Sequence, residues 1–300
     1  MSPKKDSERK RGNKLGFWLF RTAARMFGLR GAYGLLYFVC LYYVLFDRTA
    51  VLASLAYVKR RFPERSALRQ LFDVYLLFVN QGESLIDRYY VEAGGHDIIL
   101  DLVGYEKIRD RLSDSKNGMI FLTAHVGNWQ VAMTALRKLD KTVYLMMRPE
   151  DNAAVKESLN IDSEQGSVRI LYTDGALGGV VEALKAISEG SIVSIMGDRT
   201  YGFASIEASL LGGTVRFPYG AFSLAAAARC PVAVLLSSKV GTKKYVTDVS
   251  HVIEPPAGRR GDRDSGIRTC VQEFSRVLED YAVRYPHQWF VFRDMWQGNE

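Results

Sequence analysis

The residue of this 300-residue chain best placed to do chemistry is His125, in the stretch FLTAHVGNWQVAM. A continuously apolar run, MIFLTA at 119–124, ends there, and a helix is expected over about 128–138. In open α/β sheets ligands bind beyond the carboxyl ends of the strands, so a titratable ring at that point is positioned to meet one. Histidine exchanges protons near neutral pH and is the commonest proton-transfer side chain. Placement alone still favours a structural role, because a lone histidine after a strand more often serves packing than catalysis. Two more apolar runs end in charge: TVYLMM at 142–147 leads into Arg148 and Glu150 of RPEDN, and SIVSIM at 191–196 leads into Asp198 and Arg199. Read without other context, Arg199 is equally an electropositive group for a substrate and the partner of Asp198 in an internal ion pair that orders its loop. Gly127 permits close backbone approach after the strand, and Asn128 can cap the helix that follows.

Several other chemistries find no support. His96, His125, His251 and His287 include no i, i+4 pair, and Cys40, Cys230 and Cys270 are far apart and odd in number. Neither a metal centre nor a disulfide framework is expected, and a reducing compartment fits. DGALGG at 174–179 lacks the spacing and the following Lys-Ser/Thr of a phosphate loop, and no serine sits in a GxSxG elbow. RTAARMFGLRG is basic, but no nucleic-acid-binding signature accompanies it.

Four blocks, taken in order, are more specific. HVGNWQ at 125–130 resembles the HxGNWE form of the H-x4-D/E motif of the bacterial lipid A biosynthesis acyltransferases, within the lysophospholipid acyltransferase-like superfamily. RPEDN at 148–152, SIMGDRTYG at 194–202 and PHQWFVF at 286–292 resemble that family's arginine block, strand-then-Asp block and C-terminal PxQWxW signature. A Gly-Tyr-Tyr pattern around 31–43 extends the likeness over nearly the whole chain.

The resemblance implies transfer of a fatty acyl group from a thioester, acyl-carrier protein being the expected donor, to a hydroxyl or amine of a lipid or glycolipid envelope precursor. His125 is then the general base, and the residue five positions on orients its ring and steadies the imidazolium. Relatives place Glu or Asp there, whereas this chain has Gln130, whose amide accepts an N–H but cannot neutralise a cation. That departure leaves three readings: a slower enzyme, a carboxylate supplied from elsewhere with Asp198 and Glu150 as candidates, or a non-catalytic lipid- or carrier-binding protein. An acyl-thioester hydrolase is a further alternative. Arg148 and Arg199, with Asn128 and Gly127, form the expected substrate-binding set, the arginines facing an oxyanion or phosphates. No cofactor is implied.

The elements that must position these residues read as an α/β fold with a mixed, mostly parallel central sheet flanked by helices. Apolar runs at 119–124, 142–147, 168–173, 191–196 and 232–238 alternate with helices near 128–138, 178–188 and 218–228. Continuously apolar strands are those covered on both faces. A polar alternating strand over 245–253 is expected as an edge or late hairpin, then an exposed loop over 255–266 and an amphipathic helix over 267–284.

Ahead of this 93–300 catalytic region lie an expected basic, flexible tail at 1–14 and a helical, membrane-associating region at 15–92. Its core, Gly31 to Phe46, runs 16 residues without charge, short of the roughly 20 of a perpendicular span. It reads either as a buried core helix or as a helix at the membrane interface, where its tyrosines are at home. The formal net charge of +7 fits nucleic acid, an anionic membrane surface or an acidic carrier protein, and charge alone does not choose among them. The cytoplasmic face of a bacterial inner membrane is the expected location, with no nucleic-acid partner.

Overall fold

The computed structural model describes residues 14–92, 94–95, 97–147, 168–173, 179–200, 202–256 and 260–296. Three helices come first: α1 (Lys14–Phe46), α2 (Arg48–Arg61) and α3 (Ala67–Glu92). Helix α1 reaches well before the expected Gly31 and is bent at Gly28, whose backbone is non-helical with φ of 66°. The Asp47 side chain accepts from the Ala50 N–H at 3.0 Å and so ends one helix and caps the next. Leu29, Ala32, Tyr33, Leu36 and Cys40, a stripe at i, i+3, i+4, i+7 and i+11, are buried against α3. The helices approach closely because Gly82 has no side chain, since a Cβ there would lie 2.4 Å from Leu36 Cδ1.

The catalytic region then runs β1 (Ile99–Val103), α4 (Tyr105–Asp114), β2 (Met119–Thr123), α5 (Trp129–Leu136), β3 (Val143–Met147), β4 (Val168–Tyr172), α6 (Val180–Ser188) and β5 (Ile192–Met196). It continues with β6 (Ser205–Leu210), β7 (Gly213–Pro218), α7 (Gly220–Ala228), β8 (Val232–Val234), β9 (Leu236–Gly241), β10 (Lys244–Asp248), β11 (Val252–Ile253) and α8 (Arg260–Arg284). The central sheet has the order β11-β8-β2-β5-β3-β4 and is parallel throughout except for β11. Successive residues of β2 enter two different cores, Ile120 and Leu122 on one face, Met119 and Phe121 on the other. Both faces are therefore covered, as the unbroken apolar runs require.

Three departures from the sequence reading have local causes. The apolar run at 232–238 is two strands, because the backbone at Leu235 donates to Leu122 O at 2.9 Å and the chain then leaves for a second sheet, β1-β10-β9. The expected strand at 245–253 is likewise divided: Asp248 accepts from the Ser250 N–H at 2.8 Å, an Asx-type turn that separates β10 from β11. Helix α8 begins at Arg260 rather than 267, with Asp262 in its first turn, where an anion suits the helix dipole. The β6-β7 hairpin, β1 and α4 were not foreseen.

A buried ionic hub joins the helical region to the second sheet. Asp87, fully buried on α3, accepts from Lys239 Nζ of β9 at 2.7 Å and from the hydroxyls of Tyr33 and Tyr245. Lys239 also meets Glu83 at 3.0 Å and is itself almost wholly buried. A buried charge is tolerated only with such complete pairing, and removing one partner exposes the remaining cost. Asp87→Ala is expected to destabilise the protein by about 3–5 kcal/mol, read as a lowered thermal midpoint in detergent.

Candidate active site

His125 and Asp198 are brought together by strand register. Strands β2 and β5 are adjacent and parallel, with Thr123 opposite Met196, so residues two places beyond each strand end come side by side. The Gly197 N–H donates to Thr123 O at 2.8 Å, extending the ladder one step past the strands. His125 Nδ1 then lies 2.7 Å from Asp198 Oδ1, and the His125 backbone N–H donates to Asp198 Oδ2 at 3.0 Å. An ionised carboxylate only accepts, so Nδ1 carries a proton whether or not the ring is charged, and in the neutral ring Nε2 keeps its lone pair. The histidine side chain keeps 22% of its surface exposed, against 2% for the aspartate.

Burial by itself would raise the Asp198 pKa. The charge and hydrogen bond of His125 and the guanidinium of Arg199 outweigh it and hold the carboxyl well below the usual carboxylate range. A further donor comes from the C-terminal segment: Trp289, fully buried, gives its Nε1–H to Asp198 Oδ2 at 3.1 Å. That segment lies along the histidine loop as a short antiparallel bridge, Val126 opposite Trp289. Gly127 N–H donates to Gln288 O and Phe290 N–H to His125 O, each at 2.8 Å. Arg199 donates from Nη2 to Phe290 O at 3.1 Å, so both residues after β5 are tied to the same segment.

The turn itself follows from Gly127 and Asn128. Gly127 has φ of +48°, and a Cβ there would fall 1.9 Å from Ser237 O, so the loop can sit against β9 only with glycine. Asn128 Oδ1 accepts from the Val131 N–H at 3.2 Å, an N-cap bond for α5, and its Nδ2 donates to Ser84 O of α3 at 2.8 Å. Gln130 occupies the first turn of α5, and its Oε1 accepts from Arg88 Nη1 of α3 at 3.1 Å. The carboxylate at the histidine ring is thus Asp198, while the amide five places on is engaged by an arginine. Arg148 and Glu150 lie outside the described residues.

Two participants escaped sequence reasoning. Trp289 sits in the PHQWFVF block, but nothing in one dimension points its indole at Asp198. Arg88 is one of several charged residues on α3 and carries no signal in the sequence. Among the described residues, no group of three or more His, Cys, Asp or Glu side chains is arranged to hold a metal ion.

What remains is a histidine with one nitrogen committed to a buried carboxylate and a side chain still partly exposed, an arrangement that suits a general base with its orienting anion. Comparison with known proteins adds one finding. Residues 92–298 match the family described as bacterial lipid A biosynthesis acyltransferase, a match that takes in more than half of the chain and every residue of the site except Arg88 and Ser84. No curated protein matches the chain.

The Trp289 bond is open to test. Trp289→Phe keeps the aromatic bulk while removing a donor to a buried charge, and it is expected to cost about 1.5–3 kcal/mol in denaturant unfolding. Substitution at the similarly packed but uncharged contact of Phe274, Phe274→Leu, gives the packing-only reference.

Proposed function

From the premise that this chain belongs to the bacterial lipid A biosynthesis acyltransferase family, we propose that it transfers a fatty acyl group from an acyl-carrier-protein thioester to a hydroxyl or amine of a membrane lipid or glycolipid. The observation that carries this reading is the pairing of His125 Nδ1 with buried Asp198 at the carboxyl ends of two central strands. His125 Nε2 removes the proton of the acceptor as its oxygen or nitrogen attacks the thioester carbonyl carbon. The tetrahedral intermediate collapses with cleavage of the C–S bond, and the imidazolium returns its proton to the departing thiolate. Asp198 opposes the positive charge on the ring while it lasts.

Arg199, tied to the Phe290 carbonyl beside the site, and Arg148 supply positive charge to phosphates of the donor or acceptor. The net charge of +7 suits an acidic carrier protein and the cytoplasmic face of an inner membrane. On this reading the carboxylate that relatives carry five residues after the histidine is supplied here by Asp198. Gln130 is then a hydrogen-bond partner of Arg88 and does not mark a lost activity.

The test is acyl transfer from labelled acyl-carrier protein into a total lipid extract. His125→Ala is expected to abolish labelling, and Asp198→Asn to lower it about 10³–10⁴-fold, the size of effect seen when an orienting carboxylate becomes an amide. Gln130→Glu should stay within about threefold of the parent, since either side chain can accept from Arg88. Unchanged transfer in Asp198→Asn, with a large gain in Gln130→Glu, would return the orienting role to position 130. Acyl release without a labelled lipid would identify a hydrolase.

A further inference from the structure

The segment Met26–Phe46 has the length and hydropathy of a membrane-crossing helix, 21 residues with mean hydropathy 1.5. Its two faces are nonetheless committed differently. The stripe Leu29, Ala32, Tyr33, Leu36 and Cys40 is at most 6% exposed and lies on α3 along most of the segment. The opposite stripe, Phe38, Leu41, Tyr42, Leu45 and Phe46, is 49–75% exposed. A lone crossing helix presents its whole circumference to lipid, and anything packed along it must enter the hydrocarbon as well.

That requirement conflicts with what is packed there. Helix α3 brings Asn80, Glu83, Asp87 and Arg88, and the Tyr33 hydroxyl is bonded to Asp87 within the ionic hub that also holds Lys239. Drawing the segment across a bilayer would either break those bonds or carry the hub and the α3 contacts to Asn128 and Gln130 into the membrane. At the far end Asp47 caps α2, whose Ala50, Val51, Tyr57 and Val58 are buried, so the chain returns directly to the domain. Exposed cations flank the apolar stripe, Arg30 before it and Arg48 after it, with Lys59 and Arg60 exposed in the last turn of α2.

We propose that this helix lies in the plane of a single leaflet and does not cross the bilayer. Phe38, Leu41, Tyr42, Leu45 and Phe46 enter the boundary between headgroups and acyl chains, and Arg30 and Arg48 meet anionic headgroups. The inference rests on the reading of the acceptor as a membrane lipid. It deepens that reading by fixing the catalytic region against the surface where the acceptor resides. A stripe of aromatic and aliphatic residues bracketed by arginines matches an anionic leaflet in both hydropathy and charge.

Sidedness in sealed vesicles containing the full chain decides it. Arg30→Cys and Arg48→Cys are probed separately with a membrane-impermeant maleimide before and after permeabilisation. The parent is the background, because Cys40, Cys230 and Cys270 are all buried. Both introduced thiols are expected to label from the same side, and labelling from opposite sides overturns the proposal. A second arm uses the purified Phe38→Asp, Leu45→Asp double variant with phosphatidylglycerol and phosphatidylcholine vesicles. Partitioning onto the anionic vesicles should fall at least about tenfold, with the unfolding midpoint retained because both positions are exposed. Unchanged partitioning, or loss of a dimer in its place, would assign the stripe to something other than lipid and sink the idea. Acyl transfer in detergent micelles separates the two readings: active protein with opposite-side labelling refutes only the topology, and same-side labelling without activity refutes only the chemistry.

Discussion

A single buried carboxylate constrains much of this molecule. Asp198 is almost completely removed from solvent, and a charge there survives only if several donors converge on it. They come from separate places in the sequence: the ring and backbone of His125 after β2, and the indole of Trp289 near the C-terminus. Strand register supplies the first two, since β2 and β5 are in step and each runs on by two residues. The third requires the C-terminal segment to return across the sheet and lie along the histidine loop. The glycine at 127, the bridge at Val126 and Trp289, and the Arg199 bond to Phe290 are all consequences of making that return fit.

Another buried carboxylate, Asp87, does for the N-terminal helices what Asp198 does for the loop. The two are connected through named contacts. Lys239, the partner of Asp87, has its backbone N–H and C=O bonded at 2.7 Å and 2.8 Å to the side-chain amide of Gln288. Gln288 precedes Trp289, whose indole ends on Asp198. The apolar face of α1, the hub and the histidine loop are therefore parts of one packed arrangement. A helix set at a lipid surface in this way sets the distance of the loop from that surface too.

The sequence made the centre of the site legible and left its frame obscure. His125, Asp198 and Arg199 stood out because they fall in blocks that resemble those of a known family, since their placement after apolar strands favoured a structural role as much as a chemical one. The parallel central sheet was readable because its strands are largely apolar runs that alternate with helical stretches. Strand β1 and the hairpin β6-β7 escaped notice because they are half-exposed and mix polar with apolar residues. Gln130 was expected at the histidine ring from its spacing of five, but spacing along a chain cannot tell a residue on the same helix from one on the neighbouring strand. The latter reaches the ring here only through the β2-β5 register, a property of pairing between residues more than 70 apart. Arg148 lies outside the described residues, so its expected place beside the site stays with the sequence reading.

The glutamine at position 130 becomes intelligible once the valence of the imidazole is considered. The ring has two nitrogens, and proton transfer needs one of them unoccupied. Asp198 takes the other, so on the proposed reading the ring does not depend on a carboxylate at 130. What position 130 does have is Arg88, and a hydrogen bond to a guanidinium asks only for an acceptor oxygen. An amide meets that demand. With Asp198 already bonded to Nδ1, the acceptor at 130 serves Arg88 on the neighbouring helix and not the ring.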